Sequence, residues 1–179
     1  EYTRLSSPVA SEPRVVEFFS FYCGPCYQFV ENYPVADAIN KILPQNETVT
    51  KYHVRAMGPL GNELTEAWAI AIVMGKTNAV EIPLFDAMRK GELTSEADIQ
   101  TVFTKAGISA ATYGKARKST AVKDMITRQN NAIAFFEVKS TPSFYVNGKY
   151  LINNAAIAAP TAGDYVNNFA EVVKFLLKK

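Results

Sequence analysis

Hydrophobic and polar positions along the chain change period several times, and each change predicts a new element. Residues Arg14–Phe21 are almost continuously apolar and β-favouring, which predicts a central strand buried on both faces. Residues 48–54 alternate enough to predict a second strand. A hairpin is predicted from Ser143–Val146 to Lys149–Ile152, because Asn147-Gly148 between them is typical of a two-residue type I′ turn.

Helical spacing fills the regions between these strands. It begins at Gly24, and Pro34 is expected to kink that first helix. The second strand is followed by a helical block without strands, in which Ser95 and Asp98 resemble a capping box. Its helices are predicted near residues 64–74, 80–89, 95–106, 109–116 and 122–133. A last helix, capped by Asp164, is expected near the C-terminus. This order of elements predicts an α/β fold.

The composition restricts the function classes. At 179 residues, with 48% hydrophobic and 20% charged residues, the chain suits one domain, or one domain carrying an insertion, with a substantial core. Its formal charge of +2 comes from scattered residues, which gives no indication of nucleic acid or anionic lipid as a partner. No apolar run approaches the roughly 20 residues of a membrane helix. No targeting segment is recognised, as is also expected of an exported protein after cleavage.

Candidate chemistry is concentrated at Cys23 and Cys26, the only cysteines in the chain. They follow the first predicted strand and begin a helix, and a Cys-x-x-Cys in that setting indicates a redox pair of the thioredoxin kind. Cys23 is expected to be an exposed nucleophilic thiolate, because unpaired N–H groups and the helix dipole favour a negative sulfur there. Cys26, one turn further, is expected to attack the mixed disulfide from the covered side. Pro25 should preset the first turn at a position where its missing donor matters little.

A zinc half-site is the alternative interpretation of this pair. Zinc normally takes four nitrogen or sulfur ligands, and one histidine with no further cysteine cannot complete that set. A purely stabilising disulfide is also disfavoured, because so short a loop gains little from the bond. We therefore expect no metal and no cofactor other than the redox-active disulfide. The single histidine, His53, is interpreted as a structural residue on the second strand.

Three stretches carry a recognisable family pattern. They are residues 18–29 (FFSFYCGPCYQF), residues 50–54 (TKYHV) and residues 142–150 (PSFYVNGKY). Together they resemble the DsbA family of periplasmic thiol:disulfide oxidases, over essentially the whole chain. The resemblance implies a thioredoxin fold with a helical domain inserted between the second and third core strands. The expected limits are 1–58 and 137–179 for the thioredoxin domain and 59–136 for the insertion.

The same resemblance implies a cellular role. It implies a periplasmic monomer that oxidises unfolded or reduced exported proteins and is itself reoxidised by a DsbB-like, quinone-linked membrane oxidase. It also implies functional residues outside the cysteines. Pro142 would be a cis-proline facing the disulfide, and Thr141 would offer backbone groups to an extended substrate. Tyr22 and Gln28, beside the motif, are expected to border the substrate surface.

Glu17 and Lys51 match the buried acid–base pair of that family. An ionised Glu17 inside a buried strand requires either a cation or a raised pKa. The expected role of the pair is to accept and relay the proton of Cys26. The alternative is a structural ion pair between neighbouring strands, which the sequence permits equally.

Two positions depart from the family pattern. Gly24-Pro25 replaces the familiar Pro-His between the cysteines and is the pair typical of thioredoxins, and Thr141 replaces a valine. Potentials of about −270 mV for thioredoxin and about −120 mV for DsbA differ by about 7 kcal/mol. We therefore expect an oxidase that is less oxidising than the Pro-His type. The alternatives are a thioredoxin-like reductase, a disulfide isomerase, or a peptide-binding module of chaperone type in which redox chemistry is secondary.

Overall fold

The computed structural model describes residues 1–179 and contains a single five-stranded sheet. The strands are β1 (Tyr2–Arg4), β2 (Val15–Phe19), β3 (Thr50–His53), β4 (Ser143–Val146) and β5 (Tyr150–Ile152). They lie in the order β1-β5-β4-β2-β3, so β1 and β3 form the two edges. Every residue of β2 is buried, which confirms the predicted central strand.

Antiparallel pairing fixes which residues of β2 face β4. Glu17 lies opposite Phe144, and Phe18 lies opposite Ser143. Strand β4 continues antiparallel into β5, and β5 pairs in the same way with β1. The segment that precedes β4 is therefore held next to the end of β2, from which the chain continues to the cysteines.

Helices occupy the chain between and after these strands. They are α1 (Gly24–Glu31), α2 (Val35–Ile42), α3 (Gly61–Met74), α4 (Thr77–Arg89), α5 (Glu96–Lys105), α6 (Ala110–Arg117), α7 (Thr120–Phe135) and α8 (Ala162–Leu177), with a short 3-10 helix at Asn154–Ala156. The five predicted helices of the block are thus confirmed as α3 to α7. The capping box is confirmed too, because Ser95 accepts from the Asp98 N–H while the Asp98 carboxylate accepts from the Ser95 N–H.

Two local predictions were wrong, and a third was right about the turn but not about the strand register. Pro34 does not kink one helix but separates α1 from α2, because it stands at the N-cap of α2. Helix α8 is capped by Thr161, whose hydroxyl accepts from the Asp164 N–H, so Asp164 lies inside the first turn. The type I′ turn at Asn147-Gly148 is confirmed, because both residues have positive φ and the Lys149 N–H donates to the carbonyl of Val146 over 3.0 Å. The register beyond it differs from the prediction, since Val146 pairs with Tyr150 and Lys149 is an extra residue before β5.

The chain folds into two compact units. The first consists of Glu1–Phe19, Gly24–Tyr52 and Phe135–Lys179 and contains almost all of the sheet with α1, α2 and α8. The second consists of Ser20–Cys23 and His53–Ala134 and contains α3 to α6 with nearly all of α7. The domain limits expected from the sequence remain a prediction.

Each unit has its own buried apolar core. In the first, α2 packs against α8, and buried side chains such as Ile39, Phe144 and Phe169 form one cluster with residues of the sheet. In the second, Trp68 and Phe85 are almost completely buried. None of the helices has the length and apolar content needed to span a membrane.

Candidate active site

The segment that leads into α1 is a tight turn made by Ser20–Cys23. The Cys23 N–H donates to the carbonyl of Ser20 over 3.0 Å, and the Tyr22 N–H donates to the Ser20 hydroxyl over 3.0 Å. The ring of Tyr22 lies against Gly58, where a Cβ would be only 2.3 Å from it, and its hydroxyl accepts from the Leu60 N–H. The turn is therefore closely fixed just before the helix begins.

Cys23 and Cys26 form a disulfide across the start of α1. Cys26 is 1% exposed, as expected for the covered partner. Cys23 is only 5% exposed, so the prediction of an exposed thiol was wrong for this oxidised state. The reason is that its sulfur is bonded to the buried Cys26. The two residues between them, Gly24 and Pro25, are exposed and give access to the bond.

Helix α1 begins directly after Cys23, so its N-terminus is next to the sulfur. Helix α1 begins at Gly24 and has no acidic residue in its first turn, so no carboxylate competes with the Cys23 sulfur for the helix N-terminus. A residue at the N-cap normally accepts from the N–H of the second or third helical residue. The second residue is Pro25, which has no N–H. Its missing donor therefore matters for a thiolate, although it matters little for the helix.

Glu17 and Lys51 come together, as the family resemblance implied. Glu17 is 3% exposed on β2, and the Nζ of Lys51 on β3 lies 4.0 Å from its Oε1. The Lys51 side chain is 17% exposed, so the pair is buried on the carboxylate side only. The cation that the buried carboxylate requires is thus Lys51.

The peptide bond between Thr141 and Pro142 is cis. Pro142 is buried and Thr141 is half-buried, immediately before β4. The carbonyl of Pro142 accepts from the Asn154 side chain over 2.8 Å. Asn154 was not recognised from the sequence, because a single asparagine in a loop carries no sign of its distant partner.

A groove of about 550 Å³ lies in the first unit beside the cysteine motif. It is lined by Gly24, Pro25, Gln28, Phe29, Tyr33 and Tyr165. The rings of Tyr33 and Tyr165 meet edge to face at 5.7 Å, and the Tyr165 hydroxyl donates to the carbonyl of Asn154 over 2.9 Å. Burial, followed by the neighbouring Tyr33, raises the pKa of Tyr165, so the hydroxyl stays a donor at neutral pH.

Two sequence-predicted substrate residues are separated by this arrangement. Gln28 lines the groove, whereas Tyr22 is fixed by Gly58 and Leu60 in the second unit and does not line it. Phe29, Tyr33 and Tyr165 were not predicted as substrate residues, and each is partly exposed in the groove. The sequence signal for the groove was Tyr165 in the first turn of α8, because a partly buried tyrosine hydroxyl needs a polar partner.

Comparisons with known proteins agree over the whole chain. The model of the DSBA-like thioredoxin domain matches residues 14–159. The thiol:disulfide interchange protein DsbA of Pectobacterium carotovorum is 42% identical over 100% of this chain and 87% of its own length. The crystal structure of DsbA from Klebsiella pneumoniae has a TM-score of 0.96 and 46% identity, covering 99% of this chain and 95% of that one.

A third relative was solved with a ligand. A cysteine-to-serine variant of Proteus mirabilis DsbA, with the non-covalently bound peptide PWATCDS, has a TM-score of 0.95 and 41% identity. The match covers 99% of this chain and 96% of that one.

Proposed function

Since this chain belongs to the DsbA family of thiol:disulfide oxidoreductases, we propose that it donates its Cys23–Cys26 disulfide to reduced, unfolded proteins exported to the periplasm. The predicted enzyme class and the thioredoxin fold are confirmed by that membership. The observation that carries the proposal is the disulfide itself, closed between a fixed turn and a helix N-terminus.

Two exchange steps transfer the disulfide. A substrate thiolate attacks the sulfur of Cys23, the Cys23–Cys26 bond breaks, and Cys26 leaves with the electron pair. A second substrate thiolate then attacks the substrate sulfur of the mixed disulfide, and Cys23 leaves as a thiolate. The substrate has lost two electrons and gained a disulfide, and the protein has become a dithiol. A stable Cys23 thiolate makes the second departure favourable.

The region around Pro142 is the proposed contact surface for the substrate backbone. Thr141 would offer its backbone groups to an extended chain, and its hydroxyl could tune the reactivity of the disulfide. The groove would take apolar side chains of the substrate, with Gln28 as a polar contact at its wall. The fixed carbonyl of Pro142 and the aromatic lining of the groove support this assignment. Tyr22 would contribute by holding the turn rather than by touching the groove.

The partners and compartment follow from the family. We propose that a DsbB-like membrane oxidase restores the disulfide and that the protein acts as a periplasmic monomer. The peptide bound to the Proteus mirabilis relative supports a polypeptide segment as the substrate.

Substitution of Cys26 by alanine is expected to trap the mixed disulfide with substrate. The Cys26→Ala protein, activated at Cys23 with a mixed disulfide of a small thiol, should accumulate a covalent adduct with an unfolded test protein that carries a single cysteine, because no second substrate thiol can then release Cys23. Mass spectrometry would detect the adduct. A Cys23→Ala protein treated in the same way serves as the matched control and should form none. An adduct at Cys26 but not at Cys23, or no oxidation of a dithiol test protein by the intact disulfide form, would contradict the proposal.

Substitution of Glu17 by glutamine tests the proposed proton relay. Cys26 takes up a proton after it leaves as a thiolate and loses one before it attacks, and the buried Glu17 carboxyl is the proposed group that relays this proton in either direction. Glu17→Gln is expected to slow exchange by roughly 10- to 100-fold and to flatten its pH dependence, because general acid–base catalysis contributes factors of about 100 or more. Stopped-flow kinetics with a dithiol would measure this. Glu47→Gln, which removes the carboxylate of the exposed Arg14 ion pair, is the control. A Glu17→Gln protein that loses stability but keeps its rate and pH profile would leave only the structural ion pair.

A further inference from the structure

One N–H group of the turn Ser20–Cys23 donates to a residue outside the turn. The N–H groups of Tyr22 and Cys23 both donate to Ser20 within the turn. The N–H of Phe21 instead donates to Nε2 of His53 over 3.3 Å, a bond between residues 32 positions apart. A histidine far along the chain thus holds the backbone two residues before the nucleophile.

The surroundings of His53 fix its ring in one tautomer. Because Nε2 accepts from Phe21, the neutral ring must carry its proton on Nδ1, which lies 2.9 Å from the Thr65 hydroxyl. The His53 N–H donates to Oε1 of Gln129 over 2.9 Å, and Nε2 of Gln129 donates to the carbonyl of Thr65 over 3.2 Å. Both edges of the ring and its backbone are therefore held in place.

Burial keeps this ring neutral. His53 is completely buried, and burial lowers its pKa to about 3, so Nε2 remains an acceptor across the neutral range. The ring also stacks on Phe21, with 5.3 Å between the centroids and 26° between the planes. Phe21 is held further by Phe85, whose ring centroid is 4.7 Å away.

We propose that His53 is a positioning residue for disulfide exchange. Its Nε2 fixes the turn Ser20–Cys23 and so the direction in which the Cys23 thiolate points. Thiolate stabilisation by N–H groups and a helix dipole depends on that direction. The proposal rests on the disulfide-exchange function and adds to it a residue that never touches the sulfur. The interpretation of His53 as structural only, made from the sequence, is replaced by this one.

Two substitutions separate positioning from packing. In His53→Gln, the Gln side chain can place an oxygen near the former Nε2 and keep the Phe21 bond, whereas the shorter side chain in His53→Asn can reach only toward Thr65. We expect His53→Asn to raise the Cys23 thiolate pKa and to shift the equilibrium with glutathione about tenfold toward the disulfide form. His53→Gln should recover most of the wild-type values. Phe85→Leu, which loosens the same cluster but leaves the bond, is the stability-matched control.

Each outcome decides the proposal. Thiolate absorbance against pH and glutathione titration are measured on all variants, together with urea unfolding. If His53→Asn and Phe85→Leu lose stability alike and neither changes the Cys23 pKa, His53 is a packing residue and the proposal fails. It fails equally if His53→Gln and His53→Asn shift the pKa to the same extent. A wild-type protein without exchange activity would overturn the function itself, which is a separate result.

Nitrogen-15 NMR of the unsubstituted protein supplies a test that needs no variant. The proposal requires the Nδ1–H tautomer at pH 7, with Nε2 as the acceptor, in the oxidised and reduced proteins. An Nε2–H tautomer or a charged ring would overturn it. The measurement remains decisive even where both substitutions prevent folding.

Discussion

Replacing Gly24-Pro25 by Pro-His is expected to make the Cys23–Cys26 couple more oxidising by roughly 75 mV, about half the difference between thioredoxin and DsbA, or a factor of about 300 in the equilibrium with glutathione. Two physical changes act together in the Gly24→Pro/Pro25→His protein. The second residue of α1 regains the N–H that Pro25 lacks and from which an N-cap group accepts, while the N–H lost at residue 24 belongs to the first helical residue, which does not bond the N-cap side chain. The introduced histidine can also carry positive charge beside the thiolate, which proline cannot.

Single substitutions divide this effect into its parts. Pro25→Ala restores the N–H without a histidine and should give the smaller share of the shift in potential. Pro25→His restores the N–H and also adds the histidine. Glutathione titration of the four proteins, with the Cys23 thiolate pKa read from absorbance, provides the measurement. A wild-type potential at or above that of the Pro-His enzymes would contradict the prediction. In that case the surroundings of the site, and not the dipeptide, would set its oxidising power.

Acid is expected to destabilise the oxidised protein through His53. The pKa of His53 is about 3 in the fold, whereas an unfolded histidine has a pKa near 6.5, so burial depresses it. Above pH 6.5 the histidine is neutral in both the folded and the unfolded protein, so it does not change the free energy of unfolding. As the pH falls below 6.5 the unfolded chain binds a proton that the folded chain refuses, and stability decreases. The loss should approach about 3 kcal/mol at pH 4.5 and about 4 kcal/mol at pH 3, where the folded ring itself begins to take up the proton.

Urea unfolding of the oxidised protein between pH 7.5 and pH 3.5 would measure this loss. His53→Gln cannot take up the proton, so the pH dependence that remains in it belongs to the carboxylates, among them Asp98, whose pKa is lowered by hydrogen bonds from Thr94 and Ser95. The difference between the two proteins isolates His53. Parallel stability profiles for the two proteins would show that the buried ring is protonated in the fold and would refute the prediction.

The sequence predicted those parts of the site that depend on neighbours along the chain. The Cys-x-x-Cys motif, the buried strand before it and the capping box at Ser95 and Asp98 each follow from local periodicity and spacing. The pair Glu17 and Lys51 came from the family resemblance, and it is present in the fold. Local reasoning failed where a choice between two local caps was needed, as with Thr161 and Asp164, since both residue types are good caps.

Parts that depend on distant contacts could not be predicted. The bond from Phe21 to His53 and the bond from Asn154 to Pro142 each join segments whose approach is set by the fold. The aromatic groove has the same origin, because the helical spacing of Tyr33 and Tyr165 does not show that the two rings meet at one surface. Sequence spacing identifies the reacting atoms here, whereas tertiary contacts determine their orientation.

Strand order has a consequence for the sequence of events during folding. Val15 pairs with Val146, about 130 residues later, and Tyr2 pairs with Ile152, so the sheet closes only after the second half of the chain is available. Bringing such distant strands together loses chain entropy before any hydrogen bond is gained, which makes their pairing slow. The helices α3 to α7 rely on contacts closer in sequence and can form earlier. Cys23 and Cys26 precede β4 and β5 along the chain, so both thiols exist before the strands that must pair with β2 and β1 to close the sheet.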